Sequence, residues 1–382
     1  VLILLFLFKN LVSNIFSEIS FYPFYVYAIF TALFAIYQIV PLIYFQVKEE
    51  PGKFVCISIL HFILNTGFVL WFVVGEQAGA IGMLKGRLLG GLIVLPLFIY
   101  ILFKIINFSF KPTILKRCLA YSLPTIPHAM AGWILSLSDR IFIERYLTLA
   151  DVGIYSLGYQ IGSIILLFHI SFRKAYSPYF YKLALSEEQD TARKILYRTN
   201  NNYVLLVLVG SFIISFFSKE VITFLLDPKY FAAYKIVPII VLSYCISAVT
   251  GIINLSITFE KKTLHIMYMF VSSAVFNIIL NFLLIPSFGI FGAAYATFFS
   301  FCLYFILNYW YAHRCYFIPL NWTRTSYYFI VLVVITILFQ FIELPIMNIL
   351  VIKFIVMFVL VIIFLKRHYN KFKILLGNFR TK

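Results

Sequence analysis

The feature that most limits what this chain can fold into is a succession of apolar runs, each about as long as a bilayer is thick. They lie at 22–46, 53–74, 79–103, 116–143, 150–177, 198–218, 232–258, 264–285, 288–312, 325–342 and 345–365. A helix needs roughly 20 apolar residues to cross hydrocarbon, whereas a barrel strand needs about 10. Runs of this length select helices, which satisfy their own backbone hydrogen bonds where lipid offers none. Hydrophobic residues make up 63% of the chain and charged residues 12%, a balance no soluble core of 382 residues can bury. The expected fold class is therefore all-α, a polytopic transmembrane helix bundle. Val1 to Phe16 is a shorter further candidate, carrying Lys9, Asn10 and Asn14, and it brings the expected total to about 12 spans. It has neither a basic leader nor a small-residue cleavage site, so it reads as a span and not as a secretory signal. Phe24, Tyr25, Trp71, Trp133, Tyr311 and Trp322 fall near the expected interfaces, where amphipathic rings collect.

A net charge of +17 would point a soluble chain towards nucleic acid. In a membrane chain it is first tested against the excess of Lys and Arg in cytoplasmic loops. With the first residue inside, alternate loops hold Lys48 and Lys53; Lys104, Lys111, Lys116 and Arg117; and Arg173, Lys174, Lys182, Arg193, Lys194 and Arg198. Later inside loops hold Lys261, Lys262, Arg314 and Arg324, and the tail adds Lys366, Arg367, Lys371, Lys373, Arg380 and Lys382. That is 22 basic residues inside against 4 outside, the latter being Arg145, Lys219, Lys229 and Lys235. The basicity is then topological, no nucleic-acid partner is called for, and both ends are expected on the cytoplasmic side.

An internal repeat organises the spans. Gly79-Ala80-Ile81-Gly82 opens one run and Gly289-Ile290-Phe291-Gly292 opens another 210 residues later. Phe45-Gln46-Val47-Lys48-Glu49 and Phe259-Glu260-Lys261-Lys262 close two runs at an offset of 214. The repeat matches 1–103 to 198–312 and leaves the pair at 116–177 without a partner. The expected layout is an incomplete N-terminal lobe of four spans at 1–103, a cytoplasmic linker at 104–115, and a C-terminal lobe of six spans at 116–312. Two additional spans at 325–365 and a basic tail at 366–382 follow. An even number of spans per lobe makes the repeats parallel. Two helices are expected ahead of Val1, and a start at Val in place of Met fits that expectation.

The chemistry of enzymes is sparse here. Cys56, Cys118, Cys245, Cys302 and Cys315 show no paired spacing, and the six His residues are scattered. No Gly-rich phosphate loop and no triad pattern is present. No metal, cofactor or catalytic residue is expected.

Asp139-Arg140-Ile141-Phe142-Ile143, followed by Asp151-Val152-Gly153-Ile154-Tyr155-Ser156, resembles the seventh-to-eighth helix junction of polysaccharide flippases. Asn277 to Asn281, then Leu284-Ile285-Pro286-Ser287-Phe288-Gly289-Ile290-Phe291-Gly292-Ala293-Ala294-Tyr295-Ala296-Thr297, resembles their eleventh-to-twelfth junction. These are O-antigen type flippases of the multidrug/oligosaccharidyl-lipid/polysaccharide exporter superfamily. The resemblance implies two pseudo-symmetric lobes around a central cavity, and two further helices ahead of Val1. It implies a transporter, not an enzyme. The implied cargo is a polyprenyl-pyrophosphate-linked oligosaccharide repeat unit, carried by alternating access across the cytoplasmic membrane for O-antigen, capsule or exopolysaccharide synthesis. Implied partners are that lipid-linked oligosaccharide, membrane lipids and the polysaccharide polymerase machinery.

Such a cargo calls for cations in the cavity. Five basic residues fall within the runs: Lys9, Lys85, Arg87, Arg140 and Lys353. Each charge costs about 2.5–3.5 kcal/mol on insertion scales. Lys85, Arg87 and Arg140 are the candidate substrate-binding cations. Lys85 and Arg87 are about 200° apart on a helix, so one faces a cavity while the other meets a neighbouring helix or snorkels outwards. Asp139, Arg140 and Glu144 form either a structural ion pair or an outer gate. Lys9 and Lys353 sit where snorkelling is easy. Pro124 and Pro127 are the candidate hinge, with Pro41, Pro96 and Pro238 as further kinks and His128 a packed polar neighbour. Arg173 to Arg198 reads as a solvated amphipathic connector. Two other readings stand beside the flippase. A drug or peptidoglycan-precursor exporter is disfavoured because Asp139 alone is an acid deep in a span. A membrane-embedded glycosyltransferase or polymerase would want a longer outside loop than the one at about 219–231.

Overall fold

The structure is a computed structural model and describes residues 21–48, 50–105, 111–123, 125–340 and 348–359. Among these residues every regular element is a helix. The chain forms two compact units, Val1–Tyr121 and Ser122–Lys382.

In the first unit a π-helical turn, Phe21–Tyr25, leads into α1 (Val26–Val47), followed by α2 (Pro51–Leu70) and α3 (Gly79–Ile105). Proline at the first position of α2 starts that helix without wasting a donor. A second π-helical turn, Trp71–Gly75, extends α2 towards Gly79, whose φ of +56° suits a residue without a side chain. Helix α3 packs on both α1 and α2. Its buried face runs Gly82, Gly86, Gly90, Val94, Phe98, one residue per turn. A Cβ on Gly86 would lie 2.6 Å from the backbone of Val69, and one on Gly82 would lie 2.8 Å from the Phe72 carbonyl. Small residues thus let two backbones touch, the contact that holds helices together where lipid removes the hydrophobic drive. The short α4 (Pro112–Ser122) closes the unit.

The second unit contains α5 (Thr125–Tyr146), α6 (Leu149–Gly162), α7 (Ile164–Ala184), α8 (Gln189–Leu225), a 3-10 turn at Pro228–Lys235, α9 (Val237–Phe259), α10 (Thr263–Phe288), α11 (Ile290–Ala312) and α12 (Trp322–Gln340). A last helix, α13 (Asn348–Val359), ends the described residues. Helix α6 starts at a capping box, with Asp151 N and Thr148 Oγ1 3.2 Å apart and Thr148 N reaching back to Asp151 Oδ2. Helix α9 is the centre of the unit and packs on α6, α7, α8 and α11; α10 packs on α5 and α11, and α12 on α8. Gly289, with φ +59°, joins α10 to α11. Three residues on, a Cβ on Gly292 would lie 2.3 Å from the Leu284 carbonyl.

By length and composition, eight helical stretches among the described residues suffice to cross a membrane. Together with α5 and the shorter apolar α12 and α13 they account for the eleven long runs of the sequence. The chain is a multi-pass membrane protein. Val1 to Phe16 and the tail at 366–382 lie outside the described residues, as does Pro124.

Two expectations are corrected. The run at 116–143 is two helices, parted between Ser122 and Thr125, with Pro127 in the first turn of α5. Within the run at 150–177, α6 and α7 meet at Ser163, whose hydroxyl bonds back to the Gln160 carbonyl at 2.8 Å, and together they form one stretch long enough to span. The connector expected at 173–198 is chiefly helix: α7 continues to Ala184 and α8 begins at Gln189. Helix α8 has 37 residues, so it is about 55 Å long and outreaches a hydrocarbon layer of about 30 Å.

The glycine junctions supply a direct test. Gly292→Ala is expected to lower stability by about 1–3 kcal/mol through overpacking. Gly132→Ala, where the nearest atom to the new Cβ is 3.6 Å away, is expected to change it little. Thermal unfolding of the two variants in detergent decides, and equal midpoints would refute the close-approach account.

Candidate functional site

The sequence places a carboxylate, Asp139, in the middle of an apolar helix, and the second unit is built to receive it. Asp139 is fully buried on α5. Tyr155 on α6 donates to Oδ2 at 2.5 Å, Thr297 on α11 donates to Oδ2 at 2.8 Å, and Asn281 on α10 donates to Oδ1 at 2.7 Å. Asn281 also donates to Asn277 Oδ1, as does Ser138. Three donors from three helices converge on one acceptor group, and among the described residues no side chain of opposite charge is in hydrogen-bond contact with it. Behind it, Tyr244 on α9 donates to Tyr159 on α6 at 2.6 Å.

Arg140 follows directly. Its Nε donates to Ser156 at 2.9 Å and its Nη1 to the Ser136 carbonyl at 2.7 Å. The guanidinium lies over the Tyr159 ring, 4.8 Å from the centroid. An arginine in a span is thus settled by hydroxyl, carbonyl and ring face. The structure brings Asp139 and Arg140 to one cluster, while the hydrogen bonds of Arg140 run to Ser156 and Ser136 and not to Glu144, which is buried one turn further along α5.

The first unit holds a different kind of site. Between α1, α2 and α3 lies a cavity of about 400 Å³, lined by Gln38, His61, Asn65, Thr66 and Arg87 together with apolar neighbours. Asn65 Nδ2 is 2.6 Å from His61 Nε2, and the His61 ring meets Phe98 edge to face. Arg87 lines the cavity and Lys85 does not. Among the described residues Arg87 has neither a hydrogen-bond nor an ion-pair partner.

The two clusters share a register. An offset of 210 carries the buried face of α3 at 82, 86, 90, 94 and 98 onto buried positions 292, 296, 300, 304 and 308 of α11. Gly79 and Gly289, at the same offset, both have positive φ. The carbonyls that Gly82 and Gly292 approach, Phe72 and Leu284, are offset by 212, and that shift carries Asn65 onto Asn277. Arg87 falls on Thr297, one of the three donors to Asp139. Where the second unit presents a hydroxyl to its own carboxylate, the first presents a cation to a cavity.

Lys353, expected to snorkel, is buried instead, 4% exposed. Its Nζ lies 2.8 Å from Glu220 Oε1 and also donates to the Phe216 carbonyl, which fixes α13 to α8. The expectation failed because Glu220, 133 residues away, gives no local sign of the pairing. Also unforeseen is a buried contact between His169 Nδ1 and the Tyr203 hydroxyl at 2.6 Å, and one from the Tyr176 hydroxyl to Asn200 Oδ1 at 2.6 Å. Asn277, Asn281 and Thr297 stood in the sequence as parts of a motif; the signal that they act together is their spacing of four and sixteen residues on facing helices.

Comparison with known proteins follows this geometry. The family model for polysaccharide biosynthesis proteins matches residues 1–184, and the MatE model matches residues 124–283. The chain is 28% identical over 188 residues to the probable low-salt glycan biosynthesis flippase Agl15 of Haloferax volcanii. That stretch is 49% of this chain and spans only 40% of the relative's length. The fold is that of the lipid II flippase MurJ in its inward closed conformation, with a TM-score of 0.67, 15% identity, and coverage of 96% of this chain and 80% of that one.

Two variants test the buried charges. Asp139→Leu leaves three buried donors unpaired, at about 1–3 kcal/mol each, so its thermal midpoint should fall well below that of Thr297→Val, which removes one donor. Lys353→Met strands a buried carboxylate and should cost about 3–5 kcal/mol, whereas Lys353→Met combined with Glu220→Leu should recover most of that loss. A double variant as unstable as the single one would refute the pairing.

Proposed function

We propose that the chain belongs to the multidrug/oligosaccharidyl-lipid/polysaccharide exporter superfamily and is a flippase for lipid-linked glycans, a reading supported by its family-model matches, its relative and its structural neighbour. The observation that carries this reading is Arg87: an arginine within a span, unpaired, lining a cavity at the position where the second unit serves a carboxylate. An uncompensated charge in a membrane helix is retained for a counter-charge. Here the counter-charge is not a side chain among the described residues, so it arrives with the cargo. A phosphate or pyrophosphate joining glycan to lipid is such an anion, and arginine receives it through paired N–H groups.

The finer reading is a polyprenyl-pyrophosphate-linked repeat unit of an O-antigen, capsule or exopolysaccharide, moved by alternating access from the cytoplasmic to the outer leaflet of the cytoplasmic membrane. Both ends of the chain then face the cytoplasm, and polymerase machinery receives the product. Support comes from the basic-residue asymmetry of the loops and from the relative and the structural neighbour, both flippases. Lys85 and Arg140 stand second to Arg87 as cargo contacts, because Arg140 already has partners and Lys85 is away from the cavity.

The test is complementation of a cell lacking its own flippase for lipid-linked glycan, scored as surface polysaccharide at matched membrane levels of the protein. Arg87→Gln is expected to reduce the product at least tenfold, about 1.4 kcal/mol or more, and Arg87→Lys to keep part of it. Lys85→Gln should cost little. Full activity of Arg87→Gln would remove the cargo role.

A further inference from the structure

Three of the four basic residues on the outer side of the charge count, Lys219, Lys229 and Lys235, fall within one short stretch: the end of α8 and the 3-10 turn that follows. Positive charge on that side opposes the topological rule that the other loops obey. Lys219 and Lys229 lie over the rings of Tyr234 and Tyr230, at 5.7 and 5.2 Å. Asp227 is occupied in capping the 3-10 turn at Lys229 N, and Glu220 is taken by Lys353. Lys235, which is exposed, has no hydrogen-bond, ring or ion-pair partner among the described residues.

Lys235 stands at one end of a groove of about 360 Å³ formed by α8, α9, α11 and α12. The walls are apolar, with Leu208, Leu242, Phe291 and Phe329 among them, and Ser211 and Ser215 interrupt them on the α8 side. From Ser215 to Leu208 the groove follows α8 for about 10 Å, away from the loop that ends the helix. It therefore has the layout of an amphiphile: a cation beside the loop, serines next to it, and an apolar slot beyond.

We propose that this groove is a binding site for an anionic glycerophospholipid of the surrounding bilayer, with its phosphate on Lys235, its glycerol oxygens near Ser215, and one chain lying between α8 and α12. The site is separate from the Arg87 cavity, which belongs to the other unit, and stands or falls independently of the cargo. A glycan does not fit it, because the slot is apolar beyond the two serines. A lipid there fills the space between α12 and the helices it packs against.

Native mass spectrometry of the full chain in neutral detergent tests this, with phosphatidylglycerol and phosphatidylcholine of matched chains as probes. Phosphatidylglycerol is expected to be retained about fivefold more strongly, the equivalent of about 1 kcal/mol for one lysine at a membrane surface. Lys235→Gln, a change at an exposed residue, should abolish that preference while both lipids still bind, and Lys229→Gln should leave it intact. Leu242→Trp should weaken retention of both lipids. Equal retention of the two lipids by the unmodified chain overturns the proposal, as does a preference that survives Lys235→Gln. Displacement of phosphatidylglycerol by an equimolar polyprenyl phosphate overturns it too, and would give the groove to a carrier lipid.

Discussion

Hydrocarbon offers no hydrogen bonds, and every polar group at membrane depth in this chain is placed under that constraint. The backbone meets it with helices, which make up every regular element among the described residues. Side chains meet it by pairing at a distance. Asp139 draws donors from α6, α10 and α11, and Lys353 ties α13 to a carboxylate on α8. In each case a group that lipid would reject becomes the reason two or more helices stay together, so the polar minority of the chain does much of the specifying that packing alone does in a soluble core.

Small residues do the complementary task. Where Gly82, Gly86 and Gly292 stand, backbone lies against backbone at distances no side chain could tolerate. The same arrangement appears at the start of α3 and of α11, each behind a glycine of positive φ. A repeat that has lost nearly all of its side-chain identity keeps the two things geometry demands: the left-handed turn and the bare approach. What differs between the copies is then informative, and on the cavity side one copy has an arginine where the other has a threonine.

Much of the fold was legible because long apolar runs and loop charges are local signals. Among the described residues the long runs correspond to helix, and the glycine motif marks the repeat. Breaks inside runs were not legible in the same way. Ser163 looks like an ordinary polar residue until its hydroxyl is seen turned back on the Gln160 carbonyl. The length of α8 was missed for the opposite reason, since its first turns are charged and read as connector although the helix runs on unbroken. For the site, Arg87 and Asp139 stood out as charges in lipid-length runs, which is a one-residue signal. Tyr155 is only 16 residues from Asp139, but Asn281, Thr297 and the Glu220 partner of Lys353 lie 142, 158 and 133 residues from the groups they bind, and only three-dimensional packing reveals them.

Helix α8 has a mechanical consequence. A continuous rod nearly twice as long as the hydrocarbon is thick must carry several turns outside it, and its charged beginning, from Gln189 to Arg198, is the part suited to water. Such a rod is a lever with the bilayer as its fulcrum. Any tilt of the helix within the membrane is carried to this arm, where Ala192 and Leu196 are buried, Arg193 sits over the Tyr316 ring and Gln189 accepts from the Tyr316 hydroxyl. That contact acts as a latch on the arm, and a probe attached beside it would register small rotations of the buried helix as large displacements in water.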